Sequence, residues 1–122
     1  MDVVSLYLKK SGYPNYTVTI ALYIADASHM PAGSVLCSTS FSASSLTTTT
    51  TWYDYAFSPG CLVLEGVEYA LVLSGDGGDS LNKVMVGVST TGGYSGTCGG
   101  SSDGGASWYE IAYDMVFKEG QL

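Results

Sequence analysis

The chain has 122 residues, 46% hydrophobic and only 12% charged, which suffices for one domain with a real core and leaves no room for two. Four Lys, no Arg and one His stand against eleven acids, a formal net charge of −7, and this excludes the clustered cations that bind nucleic-acid phosphates or an anionic membrane surface. No run approaches the ~18 consecutive apolar residues of a membrane-spanning helix, and the start, MDVVSLYL, lacks the basic opening and cleavage site of a secretion signal.

Residues 3–9 alternate, with Val4, Leu6 and Leu8 on one face and Ser5, Tyr7 and Lys9 on the other. A period of two is the pattern of a half-buried strand. Residues 16–24 repeat it, with Tyr16, Val18, Ile20, Leu22 and Ile24 inward and Thr17, Thr19, Ala21 and Tyr23 outward. The intervening SGYPN has the Gly, Pro and Asn of a hairpin connection, so these two strands are expected to pair antiparallel. ADASHMPAG reads as a loop closed by Pro31 and Gly33. Strands follow near 35–41 and 50–57, and the β-prone Thr run leads into the second of them, TWYDYAF. Pro59-Gly60 is a turn, EYALVLSG a strand at 68–75, GDGGDSLN a tight acidic loop and KVMVGVS a strand at 83–89. Residues 91–107 are rich in Gly and Ser, and WYEIAYDMVF supplies the last one or two strands. No ten-residue stretch keeps a helical period. The prediction is an all-β, antiparallel β-sandwich of jelly-roll type with about eight strands, one domain over residues 1–122, and Val4, Leu6, Leu8, Val18, Ile20, Leu22 and Leu71 in its core.

Cys37, Cys61 and Cys98 show no CxxC or Cys-His spacing suited to zinc. Cys37 and Cys61 read either as small buried residues or as a disulfide, since sequence alone supplies no geometry. Cys98, in a Gly-rich stretch, reads as a free thiol.

Glycosidase chemistry needs two carboxylates across a cleft. The pairs Glu65/Glu68 and Asp76/Asp79 both sit in Gly-containing turns and read as solvated loop acids. His29 lies in a loop with no evident partner, so a nucleophile triad has nothing to stand on, and the domain is expected to be no enzyme. Asp76, Asp79 and Asn82 are hard oxygen ligands on a tight turn and are the candidate site for a structural calcium. The aromatics carry the strongest functional signal. Trp52, Tyr53, Asp54 and Tyr55 lie in one strand, so whichever face is buried, the other carries an aromatic ring or a carboxylate. Together with Tyr94 in the Gly-rich region they are the candidate ligand-binding residues. Exposed rings stack on the C–H faces of sugars while carboxylates and hydroxyls bond sugar hydroxyls, which suits a neutral glycan and an Arg-free protein.

The running order VVSLYLKKSGYP, TVTIALY, MPAGSVL, TTTTTWYDYAF, LVLEGVEYALVL, GGYSGTCGGSSDGGASW and DMVF resembles a jelly-roll β-sandwich module of the carbohydrate-binding and adhesion domains found in secreted, cell-surface and phage fibre proteins. Such modules usually have one strand more before the VVSLYL segment, and because this chain begins at Met1, one sheet edge is expected to be open. Ser101, Asp103, Gly105 and Trp108 match the Asp-box pattern Ser-x-Asp-x-Gly-x-x-Trp. In sialidases and other β-propellers that motif is a β-hairpin turn, and the resemblance implies a structural role: the carboxylate accepts turn N–H groups, Gly supplies a positive φ and Trp packs beneath. Sialidase chemistry relies on an arginine cluster, and the chain has no Arg.

The expected function is a non-catalytic carbohydrate-binding or adhesion module of a larger extracellular protein, on a cell surface or virion, with a neutral polysaccharide or glycan as partner and neither nucleic acid nor membrane. The alternative is a structural subunit of a virion, fibre or surface filament, a homo-oligomer assembled through an open sheet edge.

Overall fold

Alternating apolar residues in two segments build the central strands of the two main sheets. The structure, a computed structural model, describes residues 2–58, 60–64, 66–75, 77–79, 81–89, 98–100, 109–111, 114–115 and 117–120. Among them run β1 (Val3–Ser11), β2 (Thr17–Ala25), β3 (Pro31–Ser42), β4 (Thr51–Ala56), β5 (Tyr69–Gly75), β6 (Lys83–Val86), β7 (Val88–Ser89), β8 (Cys98–Gly100), β9 (Tyr109–Ile111), β10 (Asp114–Met115) and β11 (Phe117–Gly120), with one 3₁₀ turn at Ala43–Ser45.

All pairings are antiparallel. In the first sheet β1 is central: β4 runs along one edge from Val3↔Ala56 to Leu8↔Thr51, while β11 and β6 share the other edge, β11 against Val3–Leu6 and β6 against Leu8–Ser11. In the second sheet β2 is central, between β3 and β5. Two short ladders, β7–β10 and β8–β9, complete the described pairing.

The inward faces of β1 and β2 meet across one core. Val4, Leu6 and Leu8 from β1 and Val18 and Ile20 from β2 are buried in one cluster that Phe41, Ala43, Leu46 and Phe57 close, and Leu22 is buried farther along β2. Each such aliphatic side chain contributes roughly 1.5–3 kcal/mol by leaving water. Leu71 and Leu73 from β5 and Val84 and Val86 from β6 pack at its margin. The architecture is thus all-β and sandwich-like.

The expected hairpin between the first two strands is not formed. β1 and β2 belong to different sheets, and residues 12–16 carry the chain across the core from one to the other. A hairpin and a crossing both bury the even-numbered face, so alternation cannot separate them. The crossing is held by long-range bonds: Tyr13 N donates to Asn82 Oδ1 at 2.8 Å, Val84 N donates to Tyr16 Oη at 3.0 Å, and Ala43 N donates to Tyr16 O at 2.9 Å. The Tyr16 ring lies so close over Gly75 that an added Cβ there would sit 2.7 Å from it. Gly75, which closes β5, and Gly77 and Gly78 after it therefore clear space for a tyrosine of the crossing segment.

Two further departures have local causes. Ile24 is 46% exposed, because the β2–β3 register jumps from Leu22↔Cys37 to Ile24↔Ala32 and leaves residues 33–36 bulging opposite Tyr23. The single strand expected at 83–89 is two segments, because at Gly87 the chain leaves β1 and β7 pairs with β10 instead.

Of the two readings of Cys37 and Cys61, the structure has the disulfide, with Cα atoms 5.8 Å apart. It ties β3 to the segment leading into β5 across a sequence separation of 24, and restricting the unfolded chain to that extent is worth about 3–4 kcal/mol.

Two tyrosines of β4 face this core with opposite bonding. Tyr53 Oη accepts from Thr47 N at 2.9 Å. The Tyr55 hydroxyl is buried with no hydrogen-bond partner among the described residues, its ring stacked on Phe41 at 4.4 Å. Burial, and then the neighbouring Tyr53, push the Tyr55 phenol up to about 12. Tyr55→Phe should therefore leave the thermal midpoint unchanged or raise it, whereas Tyr53→Phe, which strips an N–H of its acceptor, should cost about 1 kcal/mol in chemical denaturation.

Candidate functional site

On β4 the alternation resolves into Tyr53 and Tyr55 inward and Trp52 and Asp54 outward, since Tyr53 and Tyr55 pack against the core. The register with β1 then decides what stands beside each outward residue: Tyr7 opposite Trp52, and Ser5 opposite Asp54. The Tyr7 and Trp52 rings lie 5.1 Å apart between centroids, tilted by 39°, within the range in which aromatic pairs attract. Ser5 Oγ donates to Asp54 Oδ1. The outer face of the first sheet thus presents an aromatic pair beside a hydroxyl–carboxylate pair, and Trp52 remains 37% exposed.

Gly87 sets the third side of this platform. Its N–H donates to Tyr7 O at 2.6 Å, and a Cβ added to it would stand 2.5 Å from the Tyr7 ring and 3.1 Å from Tyr7 O. The absence of a side chain at 87 is what lets the Tyr7 ring lie where it does. Beyond it the next outward pair in register is Lys9 and Met85. Chemically, the face offers flat apolar ring surface, one anionic acceptor and two hydroxyl-bearing side chains, Ser5 and Tyr7.

The candidate residues read from sequence separate accordingly. Trp52 and Asp54 are brought together on the outer face, and Tyr7 joins them. Tyr53 and Tyr55 lie on the opposite face, in or against the core, where they do not reach an outer ligand. Tyr94 and the Asp-box residues Ser101, Asp103, Gly105 and Trp108 lie outside the described residues, as does Asp76.

At the acidic loop, Asp79 Oδ1 accepts from Leu81 N at 2.9 Å and Asn82 N at 2.8 Å. These backbone bonds, with one from the Asn82 side chain, hold the Asp79 carboxyl below its ordinary range. Asn82 Oδ1 is itself occupied by Tyr13 N. The two residues fit a self-capped turn that anchors the crossing segment, and a calcium ion would have to compete with these donors for the same oxygens. No group of three His, Cys, Asp or Glu that could hold a metal occurs among the described residues. His29, read from sequence as having no evident partner, has one: its Nδ1 lies 2.8 Å from Glu68 Oε2, both side chains about half exposed.

Compared with protein-family models, curated proteins and solved structures, the chain matches none.

Gly87→Ala tests the platform. It should displace the Tyr7 ring, change tryptophan emission and lower stability by roughly 1–3 kcal/mol, the range for an overpacked site; a variant with unaltered emission and midpoint would show that the close approach constrains nothing.

Proposed function

We propose that this domain is a non-catalytic carbohydrate-binding or adhesion module of jelly-roll type, which holds a neutral glycan on the outer face of β1 and β4. The observation that carries this reading is the Tyr7–Trp52 pair beside Ser5 and Asp54. Ring faces receive the C–H faces of a sugar, and Asp54 and Ser5 bond its hydroxyls. A neutral ligand suits this platform, since a carboxylate stands beside the rings and the chain has no Arg for bidentate pairing with an acidic sugar. The Cys37–Cys61 disulfide supports an extracellular, cell-surface or virion setting, where such bonds persist.

A second reading, a structural subunit assembling through sheet edges, is favoured by the twelve-residue β3, which pairs on only one side among the described residues.

The test is a glycan-array screen followed by isothermal titration of the best neutral hit. Trp52→Ala and Tyr7→Ala should each weaken binding by roughly 1–3 kcal/mol, by analogy with bases stacked on aromatic side chains. Wild-type affinity should change little with salt, because no counterions are released. Wild-type affinity in both folded variants would remove this site, and the absence of any hit would favour the assembly reading.

A further inference from the structure

The lysines are segregated by the topology. Lys9 and Lys10 lie in β1, Lys83 opens β6 and Lys118 is in β11, so all four belong to the first sheet and none to the second. Three of them, Lys9, Lys10 and Lys83, cluster where β1 finishes, while Lys118 pairs opposite Ser5 near its start.

At one end β1 finishes and β6 begins, with Ser11 opposite Lys83 and Lys9 opposite Met85. Exposed apolar groups stand beside these lysines: Tyr13 is 89% and Leu81 75% exposed. Among the described residues no carboxylate forms a salt bridge with Lys9, Lys10 or Lys83. The described acid of this end is Asp79, already bonded within its turn.

At the other end β2 finishes and β3 and β5 begin. The bulge places Val35 and Leu36 just before Cys37, and Leu62 directly follows its disulfide partner Cys61. Leu62 is 81% and Leu64 58% exposed. The charged groups on the second-sheet side of this end include Asp26 and Glu68, which exposes its carboxylate beside His29. None of Lys9, Lys10 and Lys83 lies at this end, and the fourth lysine, Lys118, stands opposite Ser5 on the first-sheet side.

We propose that these ends are the two halves of one interface, and that copies of this chain associate head to tail, the lysine-bearing end of one seated on the acidic apolar end of the next. The apolar groups supply the burial that drives association, and the charges choose the orientation. Contact between two acidic ends would set like charges together, while the opposite pairing sets lysines against carboxylates. Such a contact joins different surfaces, so it propagates into a ring or an open chain rather than stopping at a two-fold dimer. It uses neither Tyr7 nor Trp52 and does not depend on the glycan reading.

Sedimentation velocity across protein concentration tests this. The wild type should show a mass that rises with concentration and falls with added salt, as screening of the lysine–carboxylate attraction requires. Leu62→Asp spoils one end and Lys83→Glu the other; each alone should be monomeric. An equimolar mixture should recover a 1:1 dimer, because each variant keeps the half the other lacks. Lys9→Glu replaces Lys83→Glu should the latter lose its wild-type circular dichroism or thermal midpoint. A wild type that stays monomeric up to about 1 mM, where even a contact of roughly −4 kcal/mol would show, overturns the proposal. So does a mixture that stays monomeric, or a single variant that associates as the wild type does.

Discussion

The packing of Val4, Leu6 and Leu8 against Val18 and Ile20 is the constraint from which the other features descend. A strand has a period of two, so burying one set of residues commits the alternate set to the opposite face. Once Leu6 and Val4 face inward, their partners Tyr53 and Tyr55 must do so as well, and Trp52 and Asp54 must face out beside Tyr7 and Ser5. A one-residue slip between β1 and β4 would send Trp52 into the core and dismantle the platform. The outer face is therefore specified by the inner one, through hydrogen-bonded register rather than through any contact of its own.

Much of this is legible from residues alone, and the part that is not has a common cause. Alternation identifies β1 and β2, their inward faces and Tyr7 as outward, because period is a local property. It cannot say which strand lies beside which, and SGYPN shows why: Gly, Pro and Asn permit a reversal of direction whether the chain returns within its sheet or crosses to another. The same limit hides the Cys37–Cys61 bond, which depends on where two distant segments end up. The Trp52–Tyr55 strand advertises a ring or a carboxylate on either face, but the identity of Tyr7 as the neighbour of Trp52 exists only in the register. His29 and Glu68 meet because Ala25 N donates to Glu68 O, a bond between the ends of β2 and β5 that no local pattern announces.

The acidic glycine-rich loop shows how one composition admits two explanations. Read by itself, GDGGDSLN offers oxygens on a tight turn. In place, Gly75 makes room for the Tyr16 ring, Asp79 caps the turn that follows, and Asn82 holds Tyr13. Gly75, Asp79 and Asn82 thus each serve the passage of the chain between sheets. The Tyr16 hydroxyl accepting from Val84 then links the second sheet's first residues to β6 of the first sheet, closing that end of the core.

The first and last described strands are antiparallel neighbours, Val3 standing opposite Gly120. A polypeptide joined to this domain on both sides would enter and leave at the same corner, much as it would through a tight loop, and could accommodate the whole module without being stretched around it. A tensile load applied through those two points acts across the β1–β11 ladder and opens it one rung at a time, as a zipper, instead of shearing several rungs together. The β1–β4 pairing does not lie on that line of force. Under tension the chain would thus shed β11 at low load while Tyr7, Trp52 and the face they form stayed in register.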